Sequence, residues 1–225
     1  MRFLILGATG ISGVLLVRKA LEIYPDATVI IFARSPNKIP EDLRNNGSLT
    51  IVQGTLDDLD ELEAAVQLGI DVVLSALGPV VSPTGRTNHP TNTPIATFYG
   101  HLIDLLHKYN VKRFISLSTA SVTDPNDKPS WKYAAIVRAV RSVAYPAYAD
   151  IVAMGEVIRS KGQDLDYTLV RVPFLTNAKS EGVYAGHIGD GKIGVILSRK
   201  AFAAFSVGEI GNRQWVKGAP MISNA

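Results

Sequence analysis

Gly7, Gly10 and Gly13 stand three residues apart, directly after the apolar run Phe3-Leu4-Ile5-Leu6 and directly before the helical pattern Val14, Leu15, Val17, Leu21. That placement suits a diphosphate. A glycine closing a strand allows a tight turn, and a second, lacking a side chain, lets a pyrophosphate approach the backbone. A third lets the helix pack onto the strand. The free N–H groups of the first helical turn and the positive end of the helix dipole then face the phosphates. A glycine triplet alone carries little weight; between a strand and a helix it describes a nucleotide cradle. Arg34 closes the next apolar run, and Lys38 follows one turn later. A site selective for NAD(H) offers a carboxylate about twenty residues after the glycines, to hold the ribose 2′-hydroxyl. A guanidinium there attracts a 2′-phosphate and stacks on adenine, so this pair favours NADP(H).

Those residues need elements to position them. Apolar runs at 28–33, 49–53, 71–77, 113–118 and 167–172 continue the series begun at 2–6. Continuous Val/Ile/Leu runs indicate strands covered on both faces, as in a parallel sheet. Helical patterns lie between them, near 36–46, 58–66, 93–109 and 147–161. Right-handed crossovers then give a doubly wound, Rossmann-type α/β fold, one domain over 1–225. Two segments interrupt the alternation. Residues 78–94, rich in Pro, Gly, Thr and Asn, read as a long loop. Residues 123–146 read as a partly helical insertion with Trp131, Tyr133, Lys128, Lys132, Arg138 and Arg141. Both leave from the C-terminal ends of strands, where ligands bind in open α/β sheets. The insertion is therefore a candidate lid, the alternative being a solvated surface helix.

Composition bounds the partners. At 225 residues and 47% hydrophobic, the chain can bury one large core. A net charge of +3 gives no nucleic-acid footprint. The absence of cysteine excludes disulfides, thiolate metal sites and a Cys nucleophile. No apolar run approaches the ~20 residues of a membrane span, and the first one ends well short of a secretory signal. Asp124, Asp127 and Asp150 offset the basic residues near the insertion, against a membrane-surface role. The expectation is a cytoplasmic monomer or homodimer acting on a small molecule.

Four stretches together resemble a known family: GATGISG, the ARSPNK after the second run, the LSTAS after the fifth and LDYTLVRVPFLTN at the sixth. They are similar to the NmrA-like, atypical short-chain dehydrogenase/reductase group. Within it the likeness is to the small single-domain branch of flavin and biliverdin-IXβ reductases and to fungal NmrA-like proteins. It covers nearly the whole chain, including the tail LSRKAFAAFSV and WVKGAPMISN. Carried over by position, the resemblance implies that Gly7, Thr9, Gly10, Ile11 and Ser12 hold the pyrophosphate, with Arg34 and Lys38 at the 2′-phosphate. Gly54, Thr55 and Leu56 match the turn at adenine. Relatives often have Asp where Thr55 stands, which leaves Asp57 and Asp58 as N-caps of the next helix. Ala76, Leu77 and Gly78 match the strip beside the adenosine ribose. Ser118, Thr119, Pro173 and Phe174 would flank the nicotinamide.

Short-chain dehydrogenases pair a Ser and a Tyr with a Lys four residues after the Tyr, which lowers the phenol's pKa from its usual ~10. Ser118 fits the first position and Tyr148 the second, but Val152 stands where the Lys would be, and no YxxxK occurs in the chain. The flavin reductase branch works without that Lys, because hydride transfer to a flavin or quinone leaves a delocalised anion that solvent can protonate. Some members place a His after the proline that ends the sixth strand; Phe174 stands there instead and suits ring stacking. Ser118 and Tyr148 remain the catalytic candidates, against plain roles as a strand-end hydrogen-bonder and a packed side chain. His89 in the 78–94 loop and His187 after the sixth run are further proton donors to weigh. His101 and His107, six apart on a helix, do not share a face as metal ligands would, and no metal site is expected. Lys112-Arg113 reads as a solvated approach to the fifth strand.

The leading expectation is an NADP(H)-dependent oxidoreductase passing hydride to a flat apolar ring compound: a flavin, a quinone or a polyketide-like metabolite of secondary metabolism. The alternatives are a redox-neutral isomerase, dehydratase or cyclase on the same fold, and a non-catalytic dinucleotide sensor.

Overall fold

The computed structural model describes residues 1–82 and 87–225. From the N-terminus the chain forms β1 (Arg2–Leu6), α1 (Ile11–Ile23), β2 (Thr28–Ala33), a 3₁₀ turn (Pro36–Lys38), α2 (Glu41–Arg44), β3 (Leu49–Gln53), α3 (Leu59–Gln67) and β4 (Val72–Ser75). There follow α4 (Pro94–Lys108), β5 (Arg113–Thr119), α5 (Trp131–Val143), α6 (Tyr145–Lys161) and β6 (Asp166–Val172). Last come β7 (Phe174–Thr176), β8 (Val183–Gly186), β9 (Ile196–Ser198), α7 (Arg199–Asn212) and β10 (Met221–Asn224).

The six apolar runs become β1 to β6 of an eight-stranded sheet in the order β3-β2-β1-β4-β5-β6-β10-β8, with β3 at one edge. Pairing is parallel from β3 to β10, and β8 closes the edge antiparallel. Ile5 lies opposite both Ile31 and Leu74, so β1 is the centre from which the order winds both ways. Alternation sends Leu4, Leu6, Ile30, Phe32 and Phe114 to the face covered by α3, α4 and α6. Phe3, Ile5, Val29, Ile31 and Ile115 face α1 and α7. The doubly wound α/β fold expected from the runs is the fold observed. No helix among the described residues is long and apolar enough to cross a membrane.

The departures have local causes. The helical pattern at 36–46 is broken by Pro40, which lacks an N–H, and Ile39 before it is held extended at ψ 133°. The tail beyond β6, given no elements from its pattern, folds into β7 to β10 and α7; its strands are too short to show a period. Arg113 is not solvated. It is buried in β5, where its guanidinium donates to the Asp166 carbonyl, Thr168 Oγ1 and the Glu209 carbonyl at 2.7–2.8 Å. Burial pushes it down to about 10.

The insertion is anchored by a buried charge pair. Arg171 of β6 is fully buried and grips Asp127 with both terminal nitrogens, at 2.5 and 2.7 Å. Asp127 also accepts the Ile188 N–H. Burial alone would raise this carboxyl, but Arg171 and the backbone N–H groups hold it below the usual carboxylate range. Beyond that anchor α5 buries only Tyr133, whose hydroxyl donates to the Gly194 carbonyl, and it leaves Trp131 in solvent. Asp127→Asn should leave an uncompensated buried guanidinium and cost about 3–5 kcal/mol in urea unfolding. Because the folded carboxyl lies below its ordinary value of 3.8, the wild type holds this stability above that pH and loses it as pH falls further. The Asn variant should show no such loss from this group.

Candidate active site

The cradle is built by the end of β1 and the start of α1. Gly7 turns the chain with φ +76°, and a Cβ there would lie 2.8 Å from the Ala76 carbonyl carbon. A Cβ on Gly13 would lie 2.1 Å from the Gly7 oxygen, so these two glycines are required by the protein itself. Gly10 is different: a Cβ there would meet only the Gly7 oxygen, at an ordinary 3.5 Å. It is exposed, beside Ile11, and no side-chain hydrogen bond caps α1. The N–H groups of Ile11, Ser12 and Gly13 fall in the first turn, which has no intrahelical acceptors. Open space over Gly10, with uncapped donors next to it, fits a dinucleotide diphosphate.

The other cofactor candidates converge on the same C-terminal edge of the sheet. Arg34 follows β2 and Lys38 ends the 3₁₀ turn after it; both are exposed, and neither side chain has an ion pair or hydrogen bond among the described residues. Thr55 follows β3, but its N–H and hydroxyl both donate to Asp58 Oδ2, at 2.8 and 2.9 Å. Those bonds hold the Asp58 carboxyl below its usual range. Asp58 stands at the N-cap of α3 yet turns back to Thr55 and caps nothing, which corrects the capping role expected of it. Leu56 is half-buried against the core. A groove of about 810 Å³ runs from Arg34, Gly54 and Thr55 along the outer edge of β3 to Leu68; only its upper end meets the adenine path. Ala76, Leu77 and Gly78 leave β4 beside β1, with the Ala76 N–H donating to the Leu6 carbonyl at 3.0 Å.

At the far end, Ser118 and Thr119 close β5, and Pro173 and Phe174 follow β6. Phe174 is 59% exposed, and Ser118 Oγ is buried with no hydrogen-bond partner. Tyr148 lies elsewhere. It lines a groove of about 470 Å³ between α5 and α6 with Arg138, Arg141 and Tyr145, and Arg141 sits 5.7 Å over its ring. No hydrogen bond joins Tyr148 to Ser118 among the described residues. His187 directly follows β8, 3.4 Å from Asp124 and edge-on to Trp215. His101 and His107 lie exposed on α4, as expected.

A polar chain that sequence reasoning passed over lies beneath this edge. Ser75 Oγ and Ser116 Oγ flank the Tyr99 hydroxyl at 2.6 and 3.1 Å, and Ser75 also accepts the Leu77 N–H. Burial, with the Asp150 charge adding to it, pushes Tyr99 up to about 12. Asp150 is fully buried on α6 and accepts the N–H groups of Ile95 and Ala96, at 3.0 and 2.8 Å, capping α4. His89 Nε2 stands 2.6 Å from the same carboxylate. The signal was available: Asp150 shares a helical face with the apolar residues Ala147, Ile151 and Met154.

The profile of the NAD(P)H-binding family matches residues 7–213. The chain belongs to that family. Among solved structures it is similar to a short-chain dehydrogenase/reductase from Veillonella parvula in complex with NADP, at 18% identity and a TM-score of 0.75, covering 99% of this chain and 94% of that one. An oxidoreductase from Lactococcus lactis is 19% identical with a TM-score of 0.73, covering 100% and 91%. An anaerobillin reductase from Escherichia coli O157:H7 is 15% identical with a TM-score of 0.73, covering 100% and 97%. At such identities the likeness is one of fold, the short-chain dehydrogenase/reductase fold that the opening motif resembles. The chain matches none of the curated proteins by sequence.

The two glycine environments separate by mutation. Gly10→Ala should fold with a stability change within about 1 kcal/mol, as for an ordinary N-cap exchange, yet bind reduced dinucleotide at least about tenfold more weakly. Gly13→Ala must displace backbone and should lose about 3 kcal/mol or more. Thermal melts beside nicotinamide fluorescence titrations check both.

Proposed function

We propose that the protein is an NADP(H)-dependent reductase of a flat, apolar ring compound, a flavin, a quinone or a polyketide-like metabolite. The observation that carries this reading is the open face at Gly10 joined along one sheet edge to an unpaired Arg34. Gly7 to Gly13 would hold the pyrophosphate, and Arg34 with Lys38 the 2′-phosphate. Thr55 has spent both its donors on Asp58, so its side of the adenine offers shape rather than hydrogen bonds. Bound NADPH supplies hydride from C4 of its nicotinamide.

The chain's own residues orient and dry the reacting pair. Ala76 and Leu77 border the ribose, and Ser118 and Thr119 border the nicotinamide. Exposed Phe174 offers an apolar floor on which a flat ring can stack. Ser118 Oγ is buried and has no hydrogen-bond partner among the described residues, so in this reading Ser118 shapes the nicotinamide end rather than touching substrate. In this reading the enzyme works in the cytoplasm as a monomer or homodimer, without nucleic-acid or membrane partners.

Arg34→Ala tests the cofactor assignment. It should weaken NADPH binding about tenfold or more, the worth of a charge-assisted contact, and change NADH binding little. Equal weakening of both would remove Arg34 from the 2′-phosphate.

A further inference from the structure

We infer that His89, held by Asp150, is the proton donor of this site, and that the substrate is a conjugated carbonyl compound, a quinone or ring ketone, whose oxygen takes the proton. The inference rests on the NADP(H) reading above and supplies the acid that the missing YxxxK leaves vacant.

The pair is built to fix one tautomer. Asp150 is fully buried and accepts from Ile95 N–H, Ala96 N–H and His89 Nε2. An ionised carboxylate only accepts, so His89 must carry hydrogen on Nε2. Nδ1 is then the nitrogen that gains and loses the second proton, the arrangement by which a carboxylate orients a catalytic imidazole. The negative charge of Asp150 sits at the N-terminus of α4, where the helix dipole favours it and will favour it again after the proton has left His89.

The pair also stands in the right place. His89 lies in the segment that joins the Ala76–Gly78 strip to α4, at the C-terminal edge of the sheet. One step inward, the Asp150 charge reaches Tyr99, whose hydroxyl holds Ser75 at the foot of that strip. Among the described residues of α4 and α6, the buried titratable groups are Tyr99 and Asp150. Tyr99 is neutral, so the charge His89 meets is that of Asp150. Thr93, just before α4, is held at φ +49°, a left-handed conformation costly for a β-branched residue, and its side chain caps nothing. Strain of that kind gathers at functional sites.

The balance is simple. The carbonyl carbon of the substrate gains the hydride that NADPH supplies, and the C=O π pair moves to oxygen. That oxygen takes the proton from His89 Nδ1. The imidazolium becomes neutral imidazole and is reprotonated from water, while Asp150 stays ionised.

The test uses the full chain with NADPH and menadione. For the wild type, kcat/KM should show a limb that falls as pH rises. His89→Gln should lower kcat/KM by about a hundredfold and lose that limb, with NADPH affinity by fluorescence unchanged. A His89→Gln enzyme that keeps both rate and limb overturns the assignment while leaving the reductase reading standing. A wild type that binds NADPH but turns over no menadione overturns the substrate class, and one that binds no NADPH overturns the reading beneath it. A second measurement covers a variant that fails to fold. Imidazole ¹⁵N spectra of the wild type should show neutral His89 protonated at Nε2, with an Nδ1 resonance that moves when NADP⁺ is added. An Nδ1–H tautomer, or a resonance that does not move, contradicts the inference.

Discussion

The first turn of α1 lies so close to the end of β1 that the Gly7 carbonyl oxygen occupies the space of any side chain at Gly13. That backbone contact fixes the direction of α1 relative to the central strand. It therefore fixes where the uncapped N–H groups of the helix point. β1 is paired on both sides, so its end cannot shift to relieve a larger residue. The diphosphate site is thus a by-product of how the sheet must pack. What remains free to choose is the face at Gly10, which the protein leaves open.

Buried charge in this molecule takes more than one role. Arg113 lies at the start of β5, where it binds the carbonyls of Asp166 and Glu209 and ties β6 and α7 to the sheet's N-terminal side. Arg171 and Asp127 fasten the strap that leads to α5. Both serve stability, and each would be expensive to break on one side only. Asp150, on α6, instead shares its charge between a helix terminus and a histidine. The same physics makes Arg171 a clamp and lets Asp150 hold a histidine ring in one orientation.

The strands and the cradle were legible because their cause is local. Two-sided burial forces continuous apolar runs such as 28–33, and a strand that turns into a helix against its own backbone forces glycine. Arg34 was legible because its place is counted from those glycines. The polar pairs were not, because their partners are distant in sequence. Asp150 meets Ile95 across 55 residues and Arg171 meets Asp127 across 44. A charged residue on an apolar run, as Arg113 is, looks like a boundary until the neighbouring strand shows its acceptors. The contact between Tyr148 and Arg141 across α5 and α6 was equally hidden, because neither helix shows its partner face in the sequence.

The central claim is that an open glycine face and a free guanidinium on one sheet edge make an NADPH site. Titrating the purified protein with NADPH and with NADH, while following nicotinamide fluorescence, tests it most directly. NADPH should bind at least about tenfold more tightly than NADH, the least that a 2′-phosphate on Arg34 should supply. Equal affinities, or binding of neither, would contradict the account.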